Sequence, residues 1–219
     1  MPGQGRTFQL KELLVFTLLS VLQVLVNLQF SAASSQLLAR DQNPLLRISL
    51  FYAQYIHPAV ATVVIVGLLL GFVQLGLGRR VPRLALDLVG GWMVFRLLFT
   101  FGSVNALLFT TSASPQLMLG EIVVYFLFFV VCWGWIFWRL DWFSRQEGVS
   151  HLVIADVIPP ITSFDYYHAT LASVVAKGAS TVKGLSRLGR SLVAIYSLMV
   201  LDLLGVALTR AFQLSQQVF

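Results

Sequence analysis

Five long apolar runs limit what this chain can fold into. Leu13 to Phe30, Phe51 to Gly78, Leu84 to Thr110, Leu119 to Trp138 and Ser191 to Phe212 are built mainly from Leu, Val, Ile, Phe and Ala. About 20 such residues in a helix cross a hydrocarbon core about 30 Å thick. A helix also satisfies its own backbone polar groups where no water is at hand. The expectation is an all-α integral membrane protein with about five transmembrane helices. Composition agrees, since 58% of residues are hydrophobic and 11% charged, against roughly a quarter charged in soluble domains. In a soluble protein the net charge of +6 would suggest nucleic acid. Here the basic residues flank apolar runs in the manner that orients membrane proteins, so membrane lipids are the expected partners and nucleic acid is not. Cys132 is the single cysteine, which excludes an intrachain disulfide.

The first run follows Arg6 and Lys11 and precedes Ser31-Ala-Ala33, a small-residue stretch that would suit signal cleavage. Its apolar length exceeds the usual signal-peptide limit of about 15 residues, which favours a retained helix. The second run carries Pro58 near its start, where neighbouring groups can replace the missing backbone bond. The cluster Arg79, Arg80 and Arg83 leads into the third, which holds Asp87, Gly90-Gly91 and Arg96 and ends at the uncharged turn Thr111 to Pro115. Trp133, Trp135, Trp138 and Trp142 close the fourth run as an expected aromatic belt. No linker divides the chain and no internal repeat is visible.

Between the fourth and fifth runs lies a segment too short to cross. Val153 to Ile158 reads as interfacial, and after Pro159-Pro160 the 12 residues Asp165 to Ala176 would form a helix of roughly 18 Å, little more than half the hydrocarbon thickness. Ser163 can cap that helix, and Asp165 in its first turn complements the positive end of the dipole. The stretch Lys177 to Thr181 ends the dip, and non-helical backbone at depth belongs beside protein or a water-filled cavity. A re-entrant pore helix is expected.

From Asp165 onward the order of short helix, loop, basic residues and long apolar helix resembles the pore module of tetrameric cation channels. Thr170-Leu171-Ala172-Ser173-Val174 stands where such channels have Thr-Leu-Thr-Thr-Val. The chain is more closely similar to a bacterial family of small membrane proteins with a divergent potassium-channel-like pore domain. Trp138-Arg-Leu-Asp141 matches that family's fourth-span exit, Phe164-Asp165-Tyr166 the start of its pore helix, and Leu185-Ser-Arg187 the approach to its closing helix. The resemblance covers residues 119 to 213 and reaches the front half only through its pattern of spans. It implies N-terminal transmembrane helices over 1–118 and a pore module over 119–219, a homo-oligomer with a tetramer as the guess, and residence in a bacterial inner membrane.

The departure falls at the filter. A potassium filter needs Gly-Tyr-Gly-Asp after the Val, because glycine readily adopts the left-handed backbone that turns successive carbonyls toward the ion. This chain has Val175-Ala176-Lys177-Gly178, and four copies of Lys177 around an axis would repel cations. The reading is therefore an ion-channel-like membrane protein with a degenerate filter, conducting inorganic ions without potassium selectivity. The alternative is a non-conducting scaffold or accessory subunit that retains the channel fold. A small-solute transporter lacks the inverted repeats such folds carry.

The pore and filter candidates are Thr170, Ser173, Val174, Val175, Ala176, Lys177 and Gly178. Asp202, deep in the last run, would form an acidic ring in a cavity or pair with Arg96, and Gly205 would be a gating hinge or a plain helix contact. Asp87 and Arg96 are buried-charge candidates whose spacing of nine residues puts them on opposite faces of the third span. Lys177 and Lys183 either line a mouth or meet lipid headgroups. His57 and His168 lack a second-ligand spacing for haem or metal. Gly178 to Gly184 lacks the order of a phosphate-binding loop, and no catalytic pair stands at useful spacing, so neither enzyme nor cofactor is expected.

Orientation brings two requirements into conflict. With the N-terminus inside, eleven of the 15 basic residues collect on the inner face: Arg6, Lys11, Arg79, Arg80, Arg83, Arg139, Arg145, Lys177, Lys183, Arg187 and Arg190. Arg40, Arg47 and Arg210 fall outside. That layout follows the positive-inside rule and puts the loop on the cytoplasmic side, whereas a potassium-channel-type loop enters from outside. Breaking the third span at Gly90-Gly91 or Phe101-Gly102 would add a crossing, but each half would be too short.

Overall fold

The computed structural model describes the backbone of residues 2–37, 44–108, 115–146, 148–155, 157, 161–175 and 181–218. Its elements are α1 (Pro2–Leu37), α2 (Pro44–Phe51), a π-helical turn (Tyr52–Ile56), α3 (His57–Gly76), α4 (Arg83–Leu108), α5 (Pro115–Gln146), β1 (Leu152–Ile154), α6 (Ser163–Val175), β2 (Val182–Gly184) and α7 (Arg187–Val218). Among the described residues five stretches are long and apolar enough to cross a bilayer: Gly5–Leu28, Tyr52–Gly76, Arg83–Asn105, Ile122–Arg145 and Arg187–Thr209. A mostly helical chain with five such helices has the build of an integral membrane protein. The turn Thr111 to Ser114 and the pair Pro159-Pro160 lie outside the described residues. The third span is not split, since α4 runs unbroken through Gly90-Gly91 and Phe101-Gly102.

The chain divides into two compact units, residues 1–128 with 210–219, and residues 129–209. In the first, α1 packs on α3 and α4, and Leu13, Phe16 and Leu19 of α1 are buried. Helix α1 begins well before the apolar run because its polar start has work to do at the α3–α4 turn. Gln9 Nε2 donates to Val81 O (2.9 Å) while Val81 N donates back to Gln9 Oε1 (3.3 Å), and Arg6 Nη2 donates to Leu75 O (2.9 Å). These bonds satisfy backbone groups that the ends of two helices leave open. Tyr125 Oη, near the start of α5, donates to Leu97 O of α4 at 3.2 Å.

The turn Tyr52–Ile56 follows from Pro58. In a regular helix the His57 N–H would go to Ala53 O, but here it goes to Tyr52 O, five residues back. The next residue, Pro58, has no N–H to give. The Ala53 carbonyl is instead filled by Asn27 Nδ2 of α1 at 3.2 Å. A side chain of one helix thus completes the backbone of another, which is how a proline is accommodated in a span.

In the second unit β1 and β2 form an antiparallel ribbon, with Leu152 opposite Gly184, Val153 opposite Lys183 and Ile154 opposite Val182. Of the segment expected to be interfacial, Asp156 and Ile158 lie outside the described residues, while Val153 and Ile154 belong to this ribbon. The first turn of α7 crosses its end, so a Cβ added at Gly189 would overlap the His151 carbonyl oxygen. Gly→Ala inside a helix ordinarily stabilises by about 1 kcal/mol. At Gly189 the sign should reverse, whereas at Gly205, on the same helix, an added Cβ meets nothing within 4 Å. Thermal unfolding of purified protein should show a lower midpoint for Gly189→Ala and an unchanged or higher one for Gly205→Ala.

Candidate functional site

The described residues bring most of the polar chemistry of the second unit to one place, the ribbon and the short helix it encloses. The ladder continues past the strands at both ends, through Ala155 N to Thr181 O (2.8 Å) and Leu185 N to His151 O (2.9 Å). The chain therefore leaves the ribbon at 155 and rejoins it at 181, with α6 lying in between. Its 13 residues extend about 20 Å. Thr181 Oγ1 donates to Ala169 O at 2.6 Å, which fastens the returning chain to the middle of the helix.

At the start of α6, Thr162 fills the capping position that the sequence suggested for Ser163, and Ser163 is the first helical residue. Both the Thr162 N–H (2.6 Å) and its hydroxyl (2.7 Å) donate to Asp165 Oδ2. A carboxylate three residues into the helix reaching back to the cap is one half of a capping box. The Thr162 N–H and then its hydroxyl hold the Asp165 carboxyl below the usual carboxylate range.

The start of β1 and the first turns of α6 are gathered by one buried carboxylate. Asp141, in the last turns of α5, has a fully buried side chain and pairs with Arg145 one turn on. It also accepts from the Tyr166 hydroxyl, from Ser150 Oγ at 3.1 Å, and from the backbone N–H of His151 (2.9 Å) and Leu152 (3.1 Å). Arg145 Nη2 donates in addition to Leu152 O at 3.3 Å. Burial, and then the Asp141 carboxylate it donates to, push the Tyr166 hydroxyl well above the ordinary tyrosine range. It remains a donor at neutral pH. The sequence identified Asp141 only as part of a span exit. The i,i+4 spacing of Asp141 and Arg145 was the signal available for this centre.

The candidate pore residues divide. Thr170 is 0% exposed, and its hydroxyl donates to Tyr166 O at 2.6 Å. Its carbonyl accepts from Tyr196 Oη of α7 (2.6 Å) and from Ser173 Oγ (3.0 Å), with Ser173 Oγ and Tyr196 Oη 2.9 Å apart. Three oxygens share two hydroxyl protons there. The Tyr196 ring packs against Phe129 (5.6 Å), Trp133 (5.4 Å) and Phe137 (5.5 Å). Val174 is half-buried and Val175, at the end of α6, is 72% exposed. Ala176, Lys177 and Gly178 lie outside the described residues. Asp202 and Gly205 are exposed on α7, outside a buried stripe that includes Tyr196, Met199 and Leu203. Lys183 is exposed on β2.

On α4, Asp87 is exposed and Arg96 is buried, in keeping with their half-turn offset. The Arg96 guanidinium lies over the ring of Tyr52, 4.9 Å from its centroid. Trp133, Trp135 and Trp138 are buried and do not form the expected interfacial belt. Within α5 the Trp133 ring lies tilted against Phe137, with centroids 5.4 Å apart. A close approach of α5 and α6 accompanies this packing, since a Cβ at Gly134 would overlap the Tyr167 ring. His57 is buried near Tyr52, and His168 is exposed and stacked on Phe164. Among the described residues no three His, Cys, Asp or Glu side chains cluster in a way that could hold a metal ion.

Compared with protein-family models, with curated proteins and with solved structures, the chain gives no match.

Two measurements test this centre. Asp141→Ala leaves Arg145, a tyrosine hydroxyl and two backbone N–H groups without their common acceptor, and should cost about 3–5 kcal/mol of stability. Tyr166→Phe removes one bond and should cost about 1–2 kcal/mol. Denaturation of the two variants in the same detergent checks that order. Asp165→Asn keeps the shape of the cap and removes its charge. Because folding depresses the Asp165 pKa, its contribution is fully present above the unfolded value of about 4 and is lost as pH falls through the lower folded value. The unfolding midpoints of wild type and Asp165→Asn should differ at pH 7 and converge below about pH 4.

Proposed function

We propose that residues 119–219 form a channel-like module in which α6 is a re-entrant pore helix. The protein assembles, as a tetramer, around an axis bordered by Thr170 to Gly178, and passes ions without potassium selectivity. The observation that carries this reading is the closed excursion. A helix of about 20 Å cannot cross a core of about 30 Å, and both ends of the excursion are hydrogen-bonded to each other at the ribbon. A segment tied in this way enters and leaves on one face. With eleven basic residues on the inner side that face is cytoplasmic, and the membrane that the family resemblance suggests is a bacterial inner one.

The chemistry of the loop argues against potassium selectivity. Val175-Ala176-Lys177-Gly178 has no run of glycines to turn carbonyls inward, and four lysines close to an axis raise a barrier to cations. Asp202 sets the charge of the cavity below the loop. A second reading, a non-conducting scaffold with the same fold, is favoured by the placement of Thr170 and Ser173. Their hydroxyls bond to Tyr166 and to the Thr170–Tyr196 cluster.

Reconstitution in liposomes under separate potassium, sodium and chloride gradients separates the two. Wild-type protein should pass ions with no preference for potassium, and Lys177→Ala should shift the flux toward cations, with Asp202→Asn shifting it the other way. Absence of flux from folded, oligomeric protein would select the scaffold. A strict monomer in detergent would sink the shared axis, because each chain supplies one α6.

A further inference from the structure

We infer that the cavity beside Arg96, in the unit of residues 1–128, is a binding site for one small monovalent anion of halide size. Arg96 sits at mid-length of α4, within the span Arg83–Asn105, and is 3% exposed. A charged side chain at that depth is costly unless a counter-charge or a full set of acceptors accompanies it. Among the described residues no carboxylate pairs with Arg96, and its Nε has no hydrogen-bond partner. The rings of Tyr52 and Phe99, with centroids 4.9 Å and 5.8 Å from the guanidinium carbon, supply partial negative faces. They do not supply a unit charge.

Arg96 lines a cavity together with Asn27, Tyr52, Thr100 and Ser103, among others, with about 10 Å³ of room for the centre of a water-sized sphere. That is space for a single small guest. The polar groups around it are short of acceptors. Among the described residues, the Tyr52 hydroxyl interacts with the Arg96 guanidinium and has no other partner, and Trp92 Nε1, one turn before Arg96 and outside the cavity lining, has none. The Ala53 carbonyl is already taken by Asn27. A cation is repelled by the guanidinium. A water molecule fits the space but leaves the charge uncompensated, whereas a halide accepts hydrogen bonds and neutralises the arginine.

The wall of the cavity is built by an irregularity in the backbone. The π-helical turn forced by Pro58 carries Tyr52 and Ala53, both buried, and these two residues line the cavity opposite α4. Such turns recur at functional sites because they re-aim side chains within an otherwise regular helix. The site involves none of the residues of the α6 loop and stands independently of whether that loop conducts.

Iodide provides the probe, since it binds where chloride does and quenches tryptophan on contact. The Trp92 ring lies 6.3 Å from that of Tyr52. Full-length protein in detergent is titrated with iodide against gluconate at constant ionic strength. The expected result is a saturable component of quenching that chloride competes away, that disappears in Trp92→Phe, and whose half-saturation rises about tenfold or more in Arg96→Gln. If Arg96→Gln does not fold, Thr100→Val, which keeps the volume of the side chain, takes its place, and chloride competition in the wild type still decides. Quenching that rises linearly and is indifferent to chloride would overturn the proposal and leave water as the occupant.

Discussion

A carboxylate withdrawn from water must be surrounded by donors, and Asp141 meets that demand by drawing three elements to one point. Arg145 comes from its own helix, Tyr166 from α6, and Ser150, His151 and Leu152 from the approach to β1. The donors come from three different stretches of chain, so satisfying the charge also fixes where α5 stops, where the ribbon begins and how α6 is placed. Removing any one donor leaves the others competing for a group that still has to be neutralised. The ribbon of three-residue strands has little stability of its own. It persists because one strand starts at the carboxylate and the other is overlaid by the first turn of α7 at Gly189.

The first unit handles the same problem of polar groups in an apolar medium by different means. Pro58 costs the backbone a donor, the π-helical turn relocates the vacancy to Ala53, and Asn27 fills it. Arg96 then occupies the space beside that turn with aromatic faces for company. The two units thus contrast a buried anion ringed by hydrogen-bond donors with a buried cation flanked by aromatic faces.

The sequence makes legible those features that depend on local composition and loses those that depend on which face meets which. Five apolar runs locate five helices of span length, though α1 starts well before its run and α5 extends past Trp138, and the shortness of the segment before Lys177 marks a helix that cannot cross. Strands of three residues, Leu152–Ile154 and Val182–Gly184, are too short to show a period of two, so the ribbon leaves no mark in the pattern. The four tryptophans from Trp133 to Trp142 have the composition of an interfacial belt, but Trp133 and Trp138 are buried, Trp133 against the rings of Phe129, Phe137 and Tyr196. Asp87, Arg96 and Asp202 look alike as isolated charges in apolar runs. Only packing separates the buried arginine from the two exposed carboxylates. Thr162 and Ser163 are equally good caps on paper, and the carboxylate three residues after Thr162 selects it.

The loop's fastening and the loop's chemistry are held by different residues. The ribbon, the Asp141 centre, the Thr181 bond to Ala169 and the Thr170–Tyr196 cluster all lie outside residues 176–180, where an ion-selective backbone would have to be. Among the described residues, the contacts that tie the two ends of this segment together are all made outside that stretch. On the proposed channel-like reading, the described contacts hold α6 in place while residues at the tip set what passes. On that reading the absence of filter glycines bears on selectivity, whereas the scaffold reading draws on the bonded hydroxyls of Thr170 and Ser173 as well.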